Sequence, residues 1–290
     1  KEECVSESFD ALHARLSALP AFFVGGLPRS GTTWVQQLLN SHPEILCVGE
    51  SRYMDDLIPA LYTAMQGFAQ RRAVEPWAPG ARGPAPHHMG PVFRAAFASL
   101  AVANIGDKDP ERLVTVGEKT PENVVKLERL WATFPKARFI HVIRDPRDGA
   151  ISGFHRFRSK LPSELERARY LEVYTKDWNQ RLREARRIAA GKPYLEIRYE
   201  DLHADTENRA AELFRFLGAS CDAALIRGAI ENASFERLSG GRKPGEEDTS
   251  SHYRQGLVGG WRDVLSDAEV QIATRNAGPL MAEFGYLSDI

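Results

Sequence analysis

Short apolar runs alternating with stretches of helical period predict a single α/β domain, with a central parallel sheet flanked by helices. The clearest runs are Phe22-Phe23-Val24, residues 138–143 (RFIHVI) and residues 194–198 (YLEIR), each too short for a helix. The second observation is positional. Glycine, proline or charged residues follow each run at once, so the polar motifs gather at the C-terminal ends of the strands, where open α/β sheets bind ligands.

In chain order, residues 6–19 read as a short amphipathic helix ahead of the first strand. Gly25, Gly26 and Pro28 end that strand, and residues 32–40 resume with Trp34, Val35, Leu38 and Leu39 at helical spacing. Residues 44–48 form a second strand that runs into Gly49-Glu50-Ser51-Arg52, and residues 53–68 return to a helical pattern. Residues 71–91 hold Pro76, Pro79, Gly80, Gly83, Pro84, Pro86, Gly90 and Pro91. No regular element is expected there, which leaves an acceptor-site lid or a plain surface loop. A helix over 92–105 and a strand over 112–116 come next, followed by Gly117-Glu118-Lys119-Thr120-Pro121. Thr120 is placed to cap the following helix, with Pro121 at its first position. Residues 149–158 are helical, and 162–190 make a long, highly charged helix or helix pair. Two helices cover 205–232, residues 239–251 are a polar, Gly-rich second candidate lid, and 266–284 close the chain as a helix. No internal repeat interrupts this order, so residues 1–290 read as one domain.

Composition narrows the class. Hydrophobic content of 43% and charge of 27% are ordinary for a globule, and a net charge of −1 excludes a globally basic nucleic-acid binder. Cys4, Cys47 and Cys221 are scattered without metal-type spacing, so reduced thiols and no metal site are expected. No apolar run is long enough to span a bilayer and no apolar signal core opens the chain, so no membrane insertion is expected. The expected location is the cytoplasm; the alternative is a catalytic domain cut from a membrane-anchored luminal enzyme or a larger protein.

The first strand, its Gly-rich turn and the following helix start build an anion cradle, because free N–H groups and the positive end of the helix dipole meet at one spot. Gly26 and Gly31 enclose four residues, the spacing of a Walker A loop, yet Thr32 stands where that loop has lysine. The cation has moved to Arg29, which argues against a metal-dependent NTPase while still suiting a tetrahedral anion. FIHVIRD leaves a Walker B strand open, with Asp145 for magnesium, and RDPRD leaves a salt-bridged turn open.

PRSGTTW after a strand resembles the 5′-phosphosulfate loop of sulfotransferases that use 3′-phosphoadenosine 5′-phosphosulfate (PAPS). The wider GGLPRSGTTW…NSHPE…GESR is most similar to protein-tyrosine sulfotransferases and related bacterial enzymes. A second stretch, RDPRDGAISGFHRF, resembles the family's 3′-phosphate motif through Arg144 and Ser152, with Arg156 one helical turn further on. A third, YRQGLVGGWR, resembles the RKGxxGDWKN signature through Arg254, Gly256, Gly259 and Trp261. It departs at Gln255 and Gly260, losing one cation and one carboxylate.

The resemblance implies a P-loop-like sulfotransferase fold, PAPS as donor, 3′-phosphoadenosine 5′-phosphate (PAP) as product and no metal. The implied acceptor is a hydroxyl on a sugar, small molecule, lipid, polyketide or peptide tyrosine. Arg29, Ser30, Gly31, Thr32 and Thr33 would hold the 5′ end; Arg144, Ser152, Arg156, Arg254, Gln255 and Gly256 would hold the 3′-phosphate. Trp34 and Tyr199 occupy positions for the adenine face, although both also suit a core. Glu50 stands at the catalytic glutamate of the tyrosine-sulfotransferase branch, and Arg52 matches as well. A carboxylate among Arg29, Arg52 and Lys119 is held ionised, ready to accept a proton. Lys119, in EKTP, is similar to the lysine that bridges donor and acceptor in relatives. Glu118 is a second candidate for the base, and His42, His141 and His155 read as structural. A P-loop kinase and a non-catalytic sulfonucleotide-binding module are the rival readings.

Overall fold

The computed structural model describes residues 8–74, 88–162, 165–241 and 258–287. Cys4, the central part of the 71–91 segment, residues 242–251, and Arg254, Gln255 and Gly256 lie outside the described residues. The sheet runs through β1 (Ala21–Gly26), β2 (Ile45–Val48), β3 (Thr115–Lys119), β4 (Arg138–Ile143) and β5 (Tyr194–Arg198). Every pairing is parallel, in the order β2-β3-β1-β4-β5. The predicted parallel α/β architecture is therefore the observed one, and β4 and β5 have the predicted bounds.

Two strands differ from expectation, for different physical reasons. The glycines after Val24 do not end β1: Gly25 and Gly26 pair with His141 and Val142 of β4. A Cβ on Gly25 would sit 2.7 Å from the Phe139 ring, and one on Gly26 would sit 2.5 Å from the Val142 carbonyl oxygen. Close approach, not chain reversal, requires glycine there. β3 lies further along the chain than residues 112–116, taking in Glu118 and Lys119, because hydrogen bonds satisfy both charged side chains inside a buried strand.

The helices follow in order. α1 (Phe9–Ala18) is capped by Ser8, and α2 (Thr32–Ser41) leaves the β1 turn. A π-helical turn over Tyr53–Leu57 leads into α3 (Ile58–Val74), and α4 is Met89–Ala103. These two helices claim both ends of the segment expected to be irregular. Gly90 and Pro91 are accommodated in the first turn of α4, where a missing N–H costs nothing. After a short 3-10 turn at Pro121–Val125 come α5 (Leu127–Thr133) and α6 (Pro146–Phe157), the latter capped by Asp145. Thr120 does not cap that turn, since its hydroxyl is turned to Glu118. α7 (Arg167–Ala189) is one helix, not a pair. α8 (Tyr199–Ala204), α9 (Thr206–Leu217), α10 (Ala223–Asn232) and α11 (Phe235–Leu238) follow. α12 (Asp267–Glu283) starts with a Ser266/Glu269 capping box. Among the described residues, no helix is long and apolar enough to cross a membrane.

Strand residues alternate between two cores, as a sheet covered on both faces requires. Phe23, Leu46, Val116 and Phe139 pack with Phe93, Phe97 and Leu130, while Phe22, Val24, Ile45 and Val142 pack with Leu38, Leu213 and Phe214.

His141 in β4 is buried and serves structure, as read. Tyr194 gives its one proton to Glu196 at 3.1 Å, so His141 must donate its Nδ1–H to the Tyr194 oxygen at 2.6 Å. Burial holds the imidazole down to about 4 despite the nearby Glu196 carboxylate. Above the unfolded value of 6.5 neither state carries the proton; between 6.5 and about 4 only the unfolded chain binds it, so stability falls as pH falls. That one proton corresponds to about 3 kcal/mol. Denaturant unfolding from neutral pH down to about 4 is expected to show a loss smaller by about that amount in His141→Asn than in wild type. Equal losses would place the proton uptake elsewhere.

Candidate active site

The turn between β1 and α2 is closed by Ser30 N–H donating to the Leu27 carbonyl at 3.0 Å. Two residues in it have left-handed backbone, Arg29 (φ 77°) and Gly31 (φ 96°). A non-glycine residue held there marks a backbone over-determined by its surroundings, a recurrent trait of ligand sites. Gly31 is required twice over, because an added Cβ would also lie 2.4 Å from the Tyr199 ring. No side chain caps α2; Trp34 and Val35 N–H donate to the Gly31 carbonyl, which leaves the N–H groups of Thr32 and Thr33 to meet an anion.

A cavity of about 680 Å³ opens over this helix start. Of the residues singled out in the sequence, it is lined by Arg29, Gly31, Thr32, Thr33, Trp34, Glu50, Arg52, Arg144, Ser152, Arg156 and Tyr199. Their convergence from β1, β2, β4 and β5 ends follows from the parallel topology.

Lys119, 3% exposed at the end of β3, donates from Nζ to Glu50 Oε1 at 2.6 Å and to Thr33 Oγ1 at 3.2 Å. Glu50 is half exposed on the cavity wall. A buried ammonium is tolerable only when so paired, and this pairing ties the carboxylate to the first turn of α2. Arg52 adopts φ 53° and pairs with Asp56 at 2.7 Å, while its N–H donates to Thr120 Oγ1 at 3.3 Å.

Three described candidates do not line the cavity: Lys119, which lies buried behind Glu50, and Glu118 and Ser30. Glu118 is fully buried behind Lys119, accepting from the Thr120 hydroxyl and from Asn123 Nδ2 at 2.8 Å. Burial pushes its carboxyl upward against those hydrogen bonds. A carboxylate so enclosed cannot meet an acceptor, which removes it as the second base. The Ser30 hydroxyl points beneath the loop, where Ser30, His141 and Arg181 line a separate space of about 10 Å³.

The opposite wall is cationic and aromatic. Arg144 lies 4.5 Å over the Tyr199 ring and donates to the Arg29 carbonyl at 3.4 Å; Arg29 Nε donates to Ser152 Oγ at 3.0 Å. Burial raises the Tyr199 hydroxyl pKa in spite of Arg144, so the ring presents a neutral face. Trp34 meets that ring edge-on at 5.6 Å and donates to the Ala233 carbonyl at 3.0 Å. Asp145 is not offered to a metal. Arg147 grips it at 2.7 Å, and Arg147 stacks on Trp261 at 3.6 Å, so this pair is the salt-bridged turn. His42 is likewise spent on structure, between the Ser220 carbonyl and the Glu44 N–H.

Sequence reasoning missed two parts of the wall. Ile230, Ala233, Phe235 and Leu238 form its apolar end, but their helical pattern is the same as that of core helices. Asp148 was read only as a charge in a turn; it lines the cavity and binds the Gly259 and Trp261 N–H groups.

A family model described as the sulfotransferase family matches residues 20–223. Protein-tyrosine sulfotransferase 1 of Danio rerio is 28% identical over 210 residues, 72% of this chain and 56% of that protein, so the match spans little more than half of the relative's length. Protein-tyrosine sulfotransferase 2 of Gallus gallus is 26% identical over 299 residues, covering 98% of this chain and 74% of the relative. Among solved structures, mouse sulfotransferase SULT7A1 complexed with PAP superposes with a TM-score of 0.57 at 17% identity, covering 96% of this chain and 94% of that one. The parallel sheet, the β1–α2 turn and these matches agree: the chain belongs to the sulfotransferase family.

Proposed function

We propose that this protein moves a sulfuryl group from PAPS to an acceptor hydroxyl, with Glu50 as the base and no metal. The observation that carries the reading is the buried Lys119 ammonium, hydrogen-bonded at once to Glu50 and to Thr33 in the first turn of α2. It links a cavity-facing carboxylate beside the loop to the anion cradle itself.

The residues fit such a nucleotide. The open start of α2 with Arg29 suits the 5′ phosphosulfate, the Arg144, Ser152 and Arg156 group suits the 3′-phosphate, and Trp34 and Tyr199 suit the adenine. PAPS, when bound, supplies an activated sulfuryl group. Glu50 takes the acceptor's proton, and the Lys119 point charge follows negative charge as it shifts toward the leaving oxygen. Arg29 and the α2 N–H groups neutralise the phosphate side. The mouse neighbour's complex with PAP supports this donor, and the names of the relatives put peptide tyrosine first in an acceptor screen, ahead of sugar and small-molecule hydroxyls.

Calorimetric titration with PAP and with ATP, each in EDTA and with added magnesium, tests the donor. Tight, metal-independent binding of PAP is expected. Magnesium-dependent ATP binding without PAP binding would overturn the reading in favour of a P-loop kinase.

A further inference from the structure

We propose that Asp148 is a positioning residue for recognition of the second phosphate, acting through Arg144 and through the turn that carries Gly260. The proposal rests on the sulfonucleotide reading above. Asp148 stands in the first turn of α6, one helical turn after Arg144, where the helix start favours an acid. It is 5% exposed, and both of its oxygens are engaged. Oδ2 accepts from the Gly259 N–H at 2.7 Å and Oδ1 from the Trp261 N–H at 2.9 Å. The same carboxylate faces Arg144 Nη2 at 3.8 Å.

The convergence of two backbone donors on one carboxylate is helped by the left-handed Gly259 (φ 77°), which turns the Gly259 and Trp261 N–H groups to one side. The Trp261 ring then carries Arg147 at 3.6 Å and Arg262 at 4.7 Å. Gly260 and Arg144 both line the cavity. One carboxylate thus fixes both the guanidinium and the turn opposite it. The two segments are more than a hundred residues apart in sequence, and among the described residues the Asp148 hydrogen bonds join them together with the Arg147–Trp261 stack.

The sign of the effect separates this role from simple proximity. An acid that merely stood near a phosphate would repel it, and its removal would tighten binding. A positioning acid predicts the reverse. The experiment is calorimetric titration of wild type and Asp148→Asn with PAP and with adenosine 5′-monophosphate, which lacks the 3′-phosphate. Wild type is expected to prefer PAP, and Asp148→Asn to lose about tenfold or more of that preference while monophosphate affinity holds. An unchanged or larger preference, or an equal loss for both ligands, would overturn the proposal. Wild type without any preference would bring down the sulfonucleotide reading and this proposal with it, an outcome distinct from failure in the variant alone. Should Asp148→Asn not fold, Asp148→Glu carries the same test. It keeps the charge and moves the carboxylate by one methylene, so positioning predicts a loss where proximity predicts none.

Discussion

Lys119→Met is expected to lower kcat by about 10³-fold while the protein still folds and still binds PAP. The side chain keeps its length and apolar stem, so the buried channel beside β3 stays filled. What disappears is a cation hydrogen-bonded both to the candidate base and to the anion-loop helix. Folding should survive because the partner left behind, Glu50, is 48% exposed and can be solvated. The reverse loss, a lysine left buried without its carboxylate, would be far more damaging. Steady-state turnover of PAPS with a hydroxyl acceptor that wild type sulfates gives kcat, and PAP titration gives the binding control. A kcat within a few-fold of wild type would reduce Lys119 to a structural counter-ion. Lys119→Arg is expected to recover little, since a forked guanidinium cannot fill a site shaped for a point charge at the end of a strand.

Most of the fold was legible because the sequence patterns were strong where packing is simple. β4 and β5 are apolar runs bounded by turn residues, and Ser266 with Glu269 marks the start of α12 in the residues themselves. Legibility failed where tertiary contacts override a local rule. Gly25 and Gly26 look like strand breakers, yet they lie inside β1 because Phe139 and Val142 crowd them. Glu118 and Lys119 look like a loop, yet they finish β3 because Asn123, Thr120 and Glu50 satisfy their charges.

The site follows the same division. Arg29, Thr33, Glu50, Arg144, Ser152 and Tyr199 sit in motifs that directly follow strands, so a parallel sheet alone brings them to one rim. Which way a side chain points within a motif is not written in its spacing. Ser30 and Thr32 are neighbours in one loop, but the Ser30 hydroxyl is turned beneath it while Thr32 lines the cavity. Glu118 and Lys119 adjoin in one strand, and the alternation of a strand sends them to opposite surroundings. Asp148 was illegible for another reason: its partners at 259 and 261 are close only in the folded chain.

Glu50→Gln should lower kcat by about 10²-fold or more and leave PAP affinity nearly unchanged. The amide oxygen can still accept from Lys119 Nζ, so the buried lysine keeps a partner and the loop keeps its shape. Only the capacity to take a proton is lost. This separates base catalysis from an ion-pair role, because a carboxylate that merely balanced Lys119 would be replaced by the amide at the cost of stability, not of turnover. The two variants also constrain each other. If Glu50 and Lys119 act as a unit, the double variant Glu50→Gln/Lys119→Met should lose little more than Lys119→Met alone, whereas independent roles would multiply the two losses. Near-normal turnover of Glu50→Gln would rule out this base, and the enclosed Glu118 cannot replace it. The proton would then leave through solvent at the half-exposed rim or to His203, which also lines the cavity, and the pH dependence of kcat, lacking the ionisation of a carboxylate base, would report it.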